Sequence, residues 1–252
     1  MQNQEVVSHL TELRKRLIWA IVFFILSLCL GLYMSPDILL FIKSQPAAAD
    51  IVWNVFSLTD GMFIYMKCGF LVALILSLPF ALYQIWAFVR PGLSDEEARS
   101  TIWFVPLSFF LFLCGVAFSY FVAFPMMVSF LSSVNQSIGA VETYGIDRYF
   151  SFMFNVIFPL TIAFEMPAVV LFLTKIGVLN PAQLKKVRKY VYLGLAIVGS
   201  MISPPDFVSH LSVLIPLILL FEISIILSGW YLGRTVQSSP TESINEGGTL
   251  NV

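Results

Sequence analysis

Residues 17–34, LIWAIVFFILSLCLGLYM, decide the class of fold, because this run contains no Asp, Glu, Lys or Arg. A helix that crosses a bilayer needs roughly 20 mostly apolar residues, whereas runs of about 10–14 are more typical of soluble cores. Three basic residues, Arg14, Lys15 and Arg16, stand directly before the run and suit a cytoplasmic membrane boundary. The stretch therefore predicts a transmembrane helix.

The composition of the whole chain agrees with a membrane protein. Of its 252 residues, 58% are hydrophobic and 12% are charged, and the mean hydropathy is +0.88. Soluble domains carry about 25% charged residues, so this chain has too little polar surface to cover a water-soluble globule. The net charge of −1 argues against a nucleic-acid partner, which favours a clustered basic face.

Five further apolar runs extend the same pattern, and we expect an all-α integral membrane protein with a bundle of six transmembrane helices. Helices are expected because a backbone exposed to lipid must satisfy its own hydrogen bonds. The fifth run is short for a full span. The predicted spans are Leu17–Met34, Met62–Val89, Thr101–Phe124, Tyr149–Leu173, Tyr190–Ile202 and Val208–Leu232. They form a single domain, 1–235, followed by a polar tail, 236–252, that we expect to be disordered.

The distribution of basic residues predicts the orientation. Roughly eleven of the 14 Lys and Arg residues fall on the side that holds both chain ends, so both termini are expected in the cytoplasm. Two longer loops, Ser35–Gly61 and Pro125–Asp147, would then lie outside, and their apolar residues favour short helices on the membrane surface. Tryptophans near the predicted span ends suggest an interfacial belt: Trp19, Trp53, Trp86, Trp103 and Trp230.

Two acidic residues at membrane depth are the first candidates for function, because such groups cost about 2.5–3.5 kcal/mol to insert. Glu165 lies between Pro159 and Pro167, and a proline often kinks a helix, so a polar cavity is favoured over a structural hydrogen bond. Glu222 fits a functional role and a structural one equally, paired with a hydroxyl, a backbone carbonyl or Lys67. The amides Gln84 and Asn155 more often tie helices together.

The cytoplasmic face holds a second group of candidates. Glu12 and Arg16 are spaced as an i, i+4 pair on an amphipathic run into the first span. Ser94 and Glu97 form a capping box, so helix capping alone could explain the acidic cluster around Glu97.

Neither catalysis nor metal binding is favoured by the remaining residues. The three cysteines, Cys29, Cys68 and Cys114, lie inside apolar runs and suit packing. The histidines His9 and His210 form no metal-ligand or dyad spacing. We therefore expect no metal, no cofactor and no enzymatic activity.

Several segments, in order along nearly the whole chain, resemble TatC, the polytopic receptor subunit of the twin-arginine protein translocase. The matching segments are HLTELRKRL at 9–17, LPFALYQIWAF at 78–88, PGL at 91–93, FSYF at 118–121 with FP at 124–125, FEMP at 164–167, SPPD at 203–206 and FEI at 221–223. The resemblance implies a cupped six-helix bundle with both termini inside, in a bacterial-type cytoplasmic membrane. It also implies a receptor that binds twin-arginine signal peptides and gathers small single-span TatA- and TatB-type subunits to export folded proteins. A homo-oligomer within the receptor complex is the expected assembly.

The resemblance also assigns roles to particular residues. Glu12 and Glu97 fall on the acidic positions that contact the arginine pair, with Phe88 and Arg99 beside them. Two guanidinium groups favour planar carboxylates, with which they form bidentate bonds. Glu165 falls on the acidic position of the intramembrane groove. A partner contact or a structural role is expected for the remaining positions: Glu222, Asp206, Gln84 and Tyr120.

An alternative from another class is an ion-coupled small-solute transporter that uses Glu165 and Glu222. Such a protein would support solute flux on its own in liposomes.

Overall fold

The computed structural model describes residues 2–44, 53–93, 95–140, 143–203 and 206–237 of the chain. Nearly all of this is helical, as the apolar runs predict. The helices are α1 (Gln2–Lys43), α2 (Asp60–Val89), α3 (Asp95–Thr101), α4 (Phe104–Phe118), α5 (Phe124–Ser137), α6 (Ile146–Ala163), α7 (Met166–Lys175), α8 (Pro181–Ile202) and α9 (Phe207–Gln237). Two short strands, β1 (Trp53–Asn54) and β2 (Tyr144–Gly145), pair in parallel and join the two connections predicted to lie outside.

Five helical stretches within the described residues are long and apolar enough to cross a membrane. They are Leu10–Lys43, Asp60–Gly92, Phe104–Ser137, Ile146–Lys175 and Phe207–Trp230. Helix α8 has 22 residues, but its first half is basic. Its apolar part, Tyr190–Ile202, extends only about 20 Å at the rise of an α-helix, against a hydrocarbon core of about 30 Å. The all-α fold is confirmed, and the fifth apolar segment is indeed short.

The first and third helices are longer than the apolar runs that predicted them. Helix α1 continues through Pro36 to Lys43, and α4 continues through a π-helical turn, Ser119–Ala123, into α5. Pro125 stands in the first turn of α5, next to the π-helical turn, where the regular backbone ladder is already interrupted. Residues 35–43 and 125–137 therefore extend the spanning helices and form no separate surface helices. Residues 45–52 of the first loop lie outside the described residues, so a surface helix there stays a prediction.

Small residues allow α1 and α2 to pack closely. A Cβ atom added to Gly31 would lie 2.5 Å from the carbonyl oxygen of Gly69, so the two backbones are in direct contact. The Ser35 hydroxyl donates to the Gly31 carbonyl at 2.8 Å and approaches the Tyr65 carbonyl at 3.1 Å. Close approach through glycine and serine is typical of helix pairs in lipid, where burial of apolar surface gives little driving force.

The central core is centred on α6, with side chains from α2, α5, α8 and α9 packed around it. Its fully buried side chains include Phe150, Met153, Val156, Leu160 and Leu217. The outer surface of the bundle is apolar as well, as expected for a surface that faces lipid. Tyr33, for example, is 82% exposed and Leu26 is 64% exposed.

The tryptophans separate into two groups. Trp19, Trp103 and Trp230 are exposed, as an interfacial belt requires, but Trp86 is only 7% exposed. The belt assignment is therefore wrong for Trp86, which packs inside the protein. The side chain of Trp53 lies outside the described residues.

Helix α9 extends to Gln237, slightly beyond the predicted domain end at 235. Residues 238–252 lie outside the described part of the chain. The disordered tail therefore stays a prediction.

Candidate functional site

A polar pocket lies where α2 ends and α3 begins. Helix α2 gives way to a 3₁₀ turn at Arg90–Gly92, and Leu93 is extended, because Pro91 cannot continue an α-helical ladder. The pocket has a volume of about 490 Å³. We call it the arginine pocket, and its lining is Tyr83, Trp86, Arg90, Asp95, Ala98, Arg99 and Ile102.

Trp86 connects the end of α2 to α3. Its indole Nε1 donates to the Thr101 hydroxyl at 3.1 Å, and the guanidinium of Arg90 lies 5.7 Å from the centre of the indole ring. The Tyr83 ring packs beside the indole at 5.8 Å. The tryptophan that the sequence placed in a lipid belt therefore has a structural role at this site.

Of the residues predicted to bind the arginine pair or to lie beside it, two have described side chains near the junction of α2 and α3. Phe88 is half-buried on α2, and Arg99 is exposed on α3. The backbone of Glu97 lies in α3, but its side chain, like the whole of Ser94, lies outside the described residues. The predicted capping box and the direction of the Glu97 carboxylate therefore stay predictions.

Glu12 lies on the polar N-terminal part of α1 and is paired within its own helix. Its Oε1 accepts from Arg16 Nε at 3.1 Å and from Nη2 at 2.5 Å, which confirms the predicted i, i+4 pair. No described residue donates to Oε2. Among the described side chains, no hydrogen bond or ion pair joins Glu12 to α3.

Glu165 lies at a break in the predicted fourth span. Helix α6 ends at Ala163, and Glu165 directly precedes α7, which carries Pro167 in its first turn. Because Pro167 has no backbone N–H, the regular ladder cannot pass this point. The helical ladder is thus interrupted beside the carboxylate at Pro167, whereas Pro159 stands inside α6 without a break.

The carboxylate of Glu165 lacks a regular hydrogen bond. Both of its oxygens are buried without a partner among the described residues, and so is the hydroxyl of Thr161 one turn earlier. The Ser108 hydroxyl on α4 is close enough to interact with the carboxylate, but not in hydrogen-bond geometry. Buried polar groups are normally satisfied, so three orphaned oxygens at one break indicate a place for water or a ligand group.

Glu222 has a different environment, in which the predicted hydroxyl partner is present and an arginine that sequence reasoning missed is added. Its Oε2 accepts from Arg188 Nη2 at 2.8 Å, and the Tyr192 hydroxyl donates to its Oε1. Arg188 and Tyr192 are one turn apart on α8, so the carboxylate ties α8 to α9. The proposed pairing of Glu222 with Lys67 is wrong, because Lys67 contacts Asp147 at 3.0 Å and the Ser151 hydroxyl.

The remaining candidates occupy less distinctive positions. Asp206 caps α9, since its Oδ2 accepts from the Ser209 backbone N–H at 2.6 Å. Tyr120 lies in the π-helical turn against Phe121. Neither Gln84 nor Asn155 forms a described hydrogen bond to another helix, so the expected amide ties are absent from the described part of the chain.

Fold and site together define a polytopic helical membrane protein with a polar pocket at one end of its second spanning helix and, among the described residues, a buried carboxylate without a hydrogen-bond partner. Among the described residues, no cluster of His, Cys, Asp and Glu could hold a metal ion. The family model for the Sec-independent protein translocase protein (TatC) matches residues 8–216. The chain belongs to the TatC family, which is a non-enzymatic family of protein translocase components.

Individual relatives match over nearly their full length. The chain is 40% identical to the Sec-independent protein translocase protein TatC of Halalkalibacterium halodurans, covering 89% of this chain and 88% of that protein. It is 35% identical to the Escherichia coli K12 protein of the same name, covering 92% and 91%. A solved structure titled as the twin arginine translocase receptor TatC superposes with a TM-score of 0.77 at 34% identity, covering 89% of this chain and 99% of that one.

Proposed function

We propose that this chain is the signal-peptide receptor of a twin-arginine translocase and that Glu12 and Glu97 hold the arginine pair. The observation that carries this proposal is the full-length match to a structure titled as the twin arginine translocase receptor, at 34% identity. Recognition of arginine rather than lysine has a physical basis, since a guanidinium binds a carboxylate through two parallel hydrogen bonds and an ammonium cannot.

Glu12 would take part in this recognition although Arg16 already contacts it. Both Arg16 contacts fall on Oε1, so Oε2 is available to an incoming guanidinium. The pair is partly exposed, with side-chain exposures of 25% for Arg16 and 35% for Glu12. Exposed pairs contribute only about 0–1 kcal/mol, so a signal peptide can displace Arg16 at little cost.

The position of the site is tested by photo-crosslinking. A photoreactive residue replaces Gly92, beside α3, and a matched one replaces Phe207, which is 77% exposed at the opposite end of the bundle. An Arg-Arg signal peptide should crosslink at position 92 and not at 207, and a Lys-Lys peptide should crosslink weakly at both. Equal crosslinking at the two positions would contradict the assigned site.

We propose further that Glu165 faces a wet groove in the membrane that receives the inserted signal or a partner helix. The two unpartnered carboxylate oxygens and the orphaned Thr161 hydroxyl support this. In a variant without native cysteines, Glu165→Cys should react with a membrane-impermeant maleimide. The control Ile162→Cys, at a position that is 51% exposed on the apolar surface, should not react. A protected Glu165→Cys would exclude a wet groove.

The assembly we propose contains small single-span subunits of the TatA and TatB type and more than one copy of this chain, with both termini in the cytoplasm. The distribution of Lys and Arg supports the orientation. The alternative of an ion-coupled solute transporter has no support, since Glu222 is occupied by Arg188 and Tyr192 and the relatives are translocase proteins.

A further inference from the structure

The arginine pocket has a charge that does not suit an arginine pair. Among the described side chains that line it, Arg90 and Arg99 are positive and Asp95 is negative, so the described part of the lining is net positive. None of these three forms an ion pair with another described residue. A cationic signal would be repelled from this lining, whereas an anionic group would be attracted.

The pocket is also separated from the position assigned to the arginine pair. Successive residues of an α-helix are about 100° apart around its axis, so positions 97 and 99 are about 200° apart on α3. Asp95, Ala98 and Arg99 of α3 line the pocket, and Ile102 directly follows that helix. Position 97 is therefore turned away from positions 95 and 99 around the helix axis.

An apolar cavity adjoins the arginine pocket on its membrane side. It has a volume of about 200 Å³ and lies between α2, α4 and α7, and we call it the apolar slot. Trp86 lines both cavities, and Phe104, Val169 and Phe172 are among the apolar residues of the slot. The Lys175 ammonium lies 5.4 Å from the centre of the Phe104 ring, which adds a third cation near its rim.

We propose that the arginine pocket and the apolar slot together bind an anionic phospholipid, with its phosphate at Arg90 and Arg99 and part of an acyl chain in the slot. The site lies where the spanning stretch Asp60–Gly92 ends, which is the depth at which a bilayer presents phosphate above hydrocarbon. Basic pockets between transmembrane helices on the cytoplasmic side are suited to anionic headgroups. A soluble anion has no acyl chain to place in the apolar slot.

The test uses the purified full-length chain in phosphatidylcholine nanodiscs, with phosphatidylglycerol titrated in and bound lipid counted by native mass spectrometry. The variant Arg90→Gln/Arg99→Gln removes both guanidiniums. The matched control Lys185→Gln/Lys186→Gln removes two exposed positive charges from α8. A third variant, Arg90→Lys/Arg99→Lys, keeps the charge and reports on folding.

The proposal expects wild type to bind phosphatidylglycerol in preference to phosphatidylcholine. Each neutralised arginine should weaken that binding about fivefold, since a basic residue near an anionic surface contributes about 1 kcal/mol. The α8 control and the lysine variant should retain most of the preference. Equal loss in the glutamine variant and the α8 control would overturn the proposal, because general surface charge would then explain the binding.

Two further measurements address the slot and the source of the phosphate. Val169→Phe, at a half-exposed position of the slot, should weaken binding of phosphatidylglycerol by filling part of the cavity. Soluble glycerol 3-phosphate should compete poorly, because it lacks an acyl chain. Competition by glycerol 3-phosphate at matched concentration, with no effect of Val169→Phe, would assign the pocket to a soluble anion and overturn the lipid assignment.

Discussion

Glu165 and Glu222 are both carboxylates at membrane depth, but their surroundings give them different roles. Glu222 is held by a guanidinium and a phenol, so its charge is compensated inside the protein. The oxygens of Glu165 have no such partner among the described residues, which leaves hydrogen bonds to water or to a bound group. A carboxylate that is paired within the fold, such as Glu222, is typical of a structural residue. A carboxylate without a described partner, such as Glu165, favours a functional role.

The structural role of Glu222 gives a stability prediction. Glu222→Ala should lower the free energy of unfolding by about 1–3 kcal/mol, because Arg188 and Tyr192 lose their shared acceptor. Glu222→Gln should lose less, since its amide oxygen still accepts a hydrogen bond. Thermal unfolding in detergent measures both. Adding Arg188→Ala to Glu222→Ala should cost less than the separate effects combined, and full additivity would mean that the pair is not coupled.

At the residue scale, the sequence indicates which groups are unusual but not what they contact. Apolar flanks are enough to mark Glu165 and Glu222 as buried acids. The partner of Glu222 lies 34 positions earlier in the chain, and that of Lys67 lies 80 positions later. Such pairs depend on how helices pack, which local pattern does not specify. The spacing of Arg188 and Tyr192 by one turn was the available signal for a shared partner.

Among the elements, the close pair of α1 and α2 depends on the absence of side chains at its crossing. Gly31→Ala should destabilise the protein by about 1–3 kcal/mol, because the new Cβ has to displace a backbone rather than a flexible side chain. Gly194→Ala is the matched control, since nothing lies within 4 Å of a Cβ at that helical position. There, alanine should be neutral or stabilising by up to about 1 kcal/mol. The denaturing-detergent concentration at the midpoint of unfolding, measured for both variants, distinguishes them. Similar midpoints would refute the close crossing.

Helix ends were harder to predict than helices. Hydropathy located the spanning segments, but it stopped the first at Met34 and the third at Phe124, where polar residues and prolines begin. The structure continues both helices, since α1 runs through Pro36 to Lys43 and a π-helical turn leads into the helix that carries Pro125. Continuation of a helix through a proline or a π-helical turn does not change the hydropathy of the sequence, so a hydropathy pattern cannot reveal it.

For the whole molecule, the orientation is a prediction that follows from charge alone. In a variant without native cysteines, Lys15→Cys and Lys186→Cys should react with an impermeant maleimide only after the cytoplasmic membrane is opened. Ser137→Cys, at the end of α5, should react in cells whose cytoplasmic membrane is intact. The result follows from the strong preference of Lys and Arg for the cytoplasmic side. Reaction of Lys15→Cys in intact cells would show that the orientation is the reverse of the predicted one.

The family of the whole molecule is predicted by the resemblance in sequence and not by composition. Composition and hydropathy predict a polytopic helical membrane protein, a class that hosts many functions. The ordered segments from HLTELRKRL to FEI identify the family, and the family model and solved structures confirm it. The arginine pocket and the apolar slot were not foreseen, since their linings come from four separate helices.

The most direct test of the receptor function is the binding of the detergent-solubilised protein to a signal peptide with Arg-Arg and to its Lys-Lys twin. Wild type should prefer Arg-Arg. Glu97→Ala should erase the preference and weaken Arg-Arg binding by about 1.5–3 kcal/mol, the value of a hydrogen bond to a charged group. Equal binding of the two peptides by wild type, or an undiminished preference in Glu97→Ala, would contradict the account.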